Sequence, residues 1–157
     1  MNYRVLFILL FLVTFYNIKL FANEVVNNIN YTKPSTQYIK VSLDSSVLPN
    51  SALGRKINLI VQEDVYNNSS TAVLIPVYTT ITCRQEGSKH VDNKYDIIYA
   101  TCDKMFLSNG NKIEFKGRIY SGIDKEGILT EKNVTIPKNT RVLIRIESAL
   151  NIIKENQ

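Results

Sequence analysis

Hydrophobic and polar residues alternate in short registers along most of the chain. In VTIPKNTRVLIRIE (residues 134–147), Val142, Ile144 and Ile146 fall on one side and Arg141, Arg145 and Glu147 on the other, the period of a strand with one buried face. Only Leu143 breaks the pattern. Ile39, Val41 and Leu43 alternate with Tyr38, Lys40 and Ser42, and Ile57, Leu59 and Val61 with Lys56, Asn58 and Gln62. Ile113, Phe115 and Ile119 alternate in the same way with Lys112, Glu114, Lys116 and Arg118. Turn-forming clusters separate these runs: DSSVLPNSALG at 44–54, YNNSS at 66–70, SNGN at 108–111 and SGIDKEG at 121–127. The pattern predicts an all-β fold, a small β-barrel or sandwich of short antiparallel strands. Helix is expected to be sparse, with residues 149–154 the only stretch of modest helical character.

Two runs share an opening. Ile75-Pro76-Val77-Tyr78-Thr79 and Ile136-Pro137-Lys138-Asn139-Thr140 each precede a predicted strand. Proline fixes φ and has no N–H to give a ladder, so it suits the threshold of a strand as the second residue of a turn, with Thr resuming extended geometry.

The first 22 residues read as an export signal: Arg4, an apolar run from Val5 to Ile18, then Lys19-Leu20-Phe21-Ala22 as the cleavage region. An uncleaved anchor is the alternative, because Leu20 is larger than the residue usual at its position. Residues 23–36 (NEVVNNINYTKPST) are polar and lack a period, the pattern of a flexible lead-in. A barrel domain is then expected over 37–150 and a short tail over 151–157. The formal charge of +5 falls to +3 once Arg4 and Lys19 are removed, since residues 1–22 hold no acid; so mild a balance selects neither nucleic acid nor membrane.

Export also decides how the thiols are read, because disulfides persist outside the cytoplasm and Cys83 and Cys102 are the only two cysteines. A two-residue turn at Asp92-Asn93 would set residues summing to 185 opposite one another, and 83 + 102 = 185. A longer loop over Gln85 to His90, with the cysteines paired in another register, is the alternative. A bond closing such a loop stabilises by roughly 3 kcal/mol in the chain-entropy model.

Catalytic chemistry has little to stand on. The one histidine, His90, lies in the polar stretch QEGSKHVDNK without a cluster around it, and the cysteines lack metal-ligand spacing, so neither a metal nor any other cofactor is expected. The sequence has no Gly-x-Ser-x-Gly and no His-Glu-x-x-His, and its acids are scattered among turns and polar faces, which points away from an enzyme. Tyrosines are plentiful, and Tyr99 with Lys116 is the candidate pair for a stacking platform on single-stranded nucleic acid or glycan. Cross-strand aromatic packing is the plainer account of the same residues.

The order of elements resembles the C-terminal β-barrel of the TrbI-like family, the outer-membrane core subunit of bacterial type IV secretion and conjugation machines. The matching pieces, in order, are Asp44 to Pro49, then Asp64-Val65-Tyr66, Leu74-Ile75-Pro76, Phe106-Leu107-Ser108-Asn109-Gly110 and Ile136 to Val142, within about residues 38 to 150. Where the family carries Gly in its two Ile-Pro turns this chain has Tyr78 and Asn139; Asn tolerates left-handed φ and Tyr resists it, so the first turn is expected to differ from the second. The family's helical hairpin before the last strand has no counterpart between Gly117 and Asn133. The resemblance implies a structural or accessory component of a type IV secretion, conjugation or DNA-uptake complex, exported to the periplasm or outer membrane. It implies partners among the other envelope subunits, in a ring or hetero-complex. The alternative is an exported OB-like module binding single-stranded nucleic acid or glycan through Tyr99 and Lys116.

Overall fold

A computed structural model describes residues 30–32, 37–49 and 53–153. Twelve strands form there and, among the described residues, no helix. They are β1 (Asn30–Thr32), β2 (Tyr38–Leu43), β3 (Lys56–Val61), β4 (Val65–Tyr66), β5 (Val73–Ile75), β6 (Thr80–Val91), β7 (Tyr95–Phe106), β8 (Lys112–Gly122), β9 (Lys125–Glu126), β10 (Ile128–Glu131), β11 (Arg141–Ile146) and β12 (Leu150–Ile153). Six of them make a closed antiparallel barrel in the order β8-β11-β2-β3-β6-β7, which the pairing of β7 with β8 seals. Closure leaves no unpaired edge within this wall.

The interior is what the alternation implies. Ile39, Val41 and Leu43 of β2, Ile57, Leu59 and Val61 of β3, Ile81 and Cys83 of β6, Ile98 and Cys102 of β7, Ile113 and Ile119 of β8, and Val142 and Ile144 of β11 are buried together. Their neighbours along each strand face outward. Gly117 of β8 has no room for a side chain: a Cβ there would lie 2.9 Å from the Arg145 carbonyl oxygen and 2.9 Å from the Phe115 ring.

The β6–β7 hairpin overshoots the barrel and, with β10 paired to the first half of β7, forms a three-stranded wing. Its tip departs from the expected two-residue turn. Val91 opposes Tyr95, which leaves a three-residue loop with Asp92 at φ 61°. A bulge between Gln85 and Gly87 then shifts the register by one, so that Cys83 does face Cys102 and is bonded to it. The cysteines meet as expected, but through a longer turn and a compensating bulge.

Two further expectations are corrected. Residues 150–153 form β12 instead of a helical turn, because Ile152 and its neighbours pair with Ile113 on β8, and pairing outweighs local propensity over so short a segment. Within the supposed lead-in, Asn30–Thr32 form β1 on the far side of β12. The signal and cleavage region, the rest of the lead-in and residues 154–157 lie outside the described residues.

Candidate functional site

The barrel is built from two matching halves. β2 ends at Leu43 and β3 at Val61; four residues on, Val47 bridges Ile136 and Val65 pairs Ile75. Leu43 donates its N–H to Thr140 O and accepts from Asn139; Val61 donates to Thr79 O and accepts from Tyr78. β2 and β3 run antiparallel with Leu43 opposite Leu59, so Leu43 and Val61, which hold the two Ile-Pro turns, lie on neighbouring strands two residues apart in register. Tyr78 is at φ 66° and Asn139 at φ 67°, so the turns share one backbone shape despite the resistance expected of Tyr. The proline is the first residue of the hydrogen-bonded turn and not the second: its carbonyl accepts from Thr79 at 3.2 Å and, in the other half, from Thr140 at 3.3 Å. What locks each turn differs. The Asp64 carboxylate accepts the Val77 N–H at 2.7 Å in one, and the Thr140 hydroxyl donates to Pro137 O at 2.8 Å in the other.

The matching extends five residues past each Thr, to Arg84 on β6 and Arg145 on β11. Both lie on one row across the outer face, in which register sets Tyr38 against Arg145, Arg145 against Arg118, Arg118 against Thr101, Thr101 against Arg84, and Arg84 against Lys56. Like charges placed directly opposite each other destabilise a sheet. At Arg145 and Arg118 the repulsion is offset within the chain. Glu147 bonds Arg145 at 3.0 Å and lies 3.5 Å from Arg118, and Glu126 bonds Arg118 at 2.8 Å. The Glu126 hydrogen bond, then the charges of Glu126 and Glu147, hold the Arg118 guanidinium above its ordinary pKa, and the Glu147 hydrogen bond does the same for Arg145. Arg145 also lies 4.7 Å from the centre of the Tyr120 ring, which Tyr38 meets edge-on at 6.2 Å. Burial pushes the Tyr120 hydroxyl above its usual pKa. Lys56 and Arg84 are both exposed and, among the described residues, have no such acid or ring.

On the wing, His90 opposes Asp96, and its Nδ1 pairs with the carboxylate. Asp96 is buried and also accepts the Asn133 backbone N–H at 3.2 Å, which ties the segment after β10 to the hairpin. Burial pushes its carboxyl upward, but His90, the Asn133 N–H and the charge of Lys132 outweigh that and hold it below the usual value. Among the described residues no three His, Cys, Asp or Glu side chains gather as metal ligands would.

The candidate binding residues are not brought together. Thr101 of β7 faces Arg118 of β8, and Tyr99 and Lys116 lie to opposite sides of that pair. Tyr99 sits beside Gly127. Lys116 instead borders a shallow outer groove with Asp103, Phe115, Ser148 and Asn151. Reading the sequence singled out these two and missed Lys56 and Arg84. The available signal was the repeat itself, carried on from Ile-Pro-x-x-Thr to the Arg five residues later.

No family model matches the chain, and no curated protein does. Among solved structures the fold is similar to that of ComB10 of the Com type IV secretion system of Helicobacter pylori. The likeness covers 86% of this chain and 95% of that one, at 12% identity and a TM-score of 0.51. It is a likeness of fold.

Proposed function

We propose that this chain is a non-enzymatic, exported β-barrel subunit of a type IV secretion, conjugation or DNA-uptake machine, of the TrbI-like kind, working by assembly with other envelope proteins. The observation that carries this reading is the likeness to ComB10 over nearly the whole of both chains. The ordered Asp-Val-Tyr, Leu-Ile-Pro and Ile-Pro-x-x-Thr-Arg-Val segments support it. So does the cystine, which is at home in an oxidising compartment such as the periplasm.

A closed wall suits a building block. Its six barrel strands hold their shape without a partner, and assembly is left to the outer face, the end turns and the wing. The test is mass: size-exclusion chromatography with light scattering on a detergent extract of membranes should place the chain in a complex many times its own 17.9 kDa. A monomer in every extract overturns the reading.

A further inference from the structure

We propose that Lys56 and Arg84, on the outer face of β3 and β6, form the docking point for an acidic polypeptide segment of a partner, whose carboxylate acts there as Glu147 acts between Arg145 and Arg118. The proposal deepens the assembly reading above and rests on it. It starts from an internal control. Arg84 and Arg145 occupy equivalent positions in the two halves, and each faces a second cation across a strand pair, Lys56 in one case and Arg118 in the other. In the β11–β8 half the chain offsets that repulsion with Glu147 and Glu126 and covers Arg145 with the Tyr120 ring. In the β3–β6 half Tyr38 is replaced by Lys56 at the equivalent position, and Arg118 by Thr101. The nearest acid along β6, Glu86, is the unpaired residue of the bulge and bears on Arg118. A cross-strand cation pair without an offsetting acid weakens the sheet, and it fits a site whose anion comes from outside.

Charge complementarity selects the class of partner. The pair itself is two exposed cations set directly opposite each other; Arg55, also exposed, precedes Lys56 and opposes the buried Gln85, so alternation turns it to the other side of the strand. Outward positions near the row include Asn58, Thr82 and Thr101, Lys104 opposite Thr82, Glu86 in the bulge, and Tyr99 half-buried beside Gly127. Among the described residues no aromatic face is offered here for a base to stack on, whereas the guanidinium fork and ammonium match carboxylates of an extended acidic peptide.

The test uses the full exported chain with its cystine intact and fluorescein-labelled hexaglutamate as the probe, at low ionic strength. The wild-type chain binds the peptide and releases it as salt rises. Lys56→Glu weakens binding about fivefold or more and raises the melting temperature, because a Glu opposite Arg84 supplies the acid the native sheet lacks. Lys56→Gln shows the same two directions with smaller size and stands in should the Glu variant fold poorly. Lys89→Glu on the wing changes affinity by less than about twofold. The proposal is overturned if Lys89→Glu weakens binding as much as Lys56→Glu, if Lys56→Glu lowers the melting temperature, or if oligothymidylate binds the wild type more tightly than hexaglutamate. Membrane extracts separate this from the parent reading. A Lys56→Glu chain that still enters the large complex in full removes the docking site alone, whereas a wild-type chain that enters none removes the assembly reading and leaves the peptide result standing.

Discussion

In the half of the barrel built from β3 and β6, the left-handed turn position holds Tyr78; in the half built from β2 and β11 it holds Asn139, with φ within a degree of each other at 66° and 67°. The bonds to the ends of β2 and β3 are the same in both, so the surrounding strands impose the shape and the residue at the strained position does not choose it. The routes to that shape differ. Ile75 reaches Val65 through the short β4–β5 hairpin, while Ile136 reaches Val47 from far along the chain. Asp64 locks the first turn from outside, and Thr140 locks the second from within. One half is therefore held by local chain, a carboxylate and a cystine on β6; the other is held by long-range pairing and the arginine–glutamate network.

Breaking the cystine separates the halves most. Cys83→Ala with Cys102→Ala should lower unfolding free energy by about 3 kcal/mol in denaturant titrations, with amide exchange accelerated in β6 and β7 well before β11. Equal acceleration across the barrel would mean the halves do not open separately. Asp64→Ala removes the acceptor of the Val77 N–H and should cost about 1–2 kcal/mol, whereas Ala at Ser46, the equivalent position before Val47, should change stability by less than about 0.5 kcal/mol. Glycine at the left-handed positions sharpens the contrast in the opposite direction. Tyr78→Gly should stabilise by about 1 kcal/mol and Asn139→Gly by only a few tenths, because Asn already tolerates that φ. Tyr78 is 77% exposed, so little packing is lost with it.

Acid gives the smallest separation. The Asp96 carboxyl is held below its ordinary value of 3.8, so its contribution is fully present above that value and is lost as pH falls through the lower, folded one. Amides at the wing tip, Val91 to Asp96, should lose protection at acid pH ahead of those in β11, and an Asp96→Asn chain should lack that pH dependence.

Much of this was written in local pattern. Alternation in 38–43, 56–61 and 141–146 marks the inward faces of three barrel strands, and the Ile-Pro-x-x-Thr repeat marks the entry to two. What stayed hidden depends on partners distant in sequence. β12 has no strand signature of its own and exists because β8 and β1 flank it. The bulge between Gln85 and Gly87 converts a three-residue turn into the right cysteine register, and its one local signal is Gly87, which does not by itself fix which residues pair. Tyr99 and Lys116 looked like companions because both fall on outward positions of strands, but the Thr101–Arg118 pairing sets them apart. Lys56 and Arg84 looked like ordinary surface cations until register placed them face to face.

β1 and β12 lie side by side, Asn30 against Ile152, on the flank of β8 next to β11. Chain enters and leaves the domain at one spot on its girth. A leash at either terminus would thus hold the domain by the same shoulder, and β3 and β6, which stand across the six-strand ring from β8 and β11 respectively, would be turned outward. Orientation would follow from the attachment point alone, with the unserved cations presented away from whatever the leash is tied to.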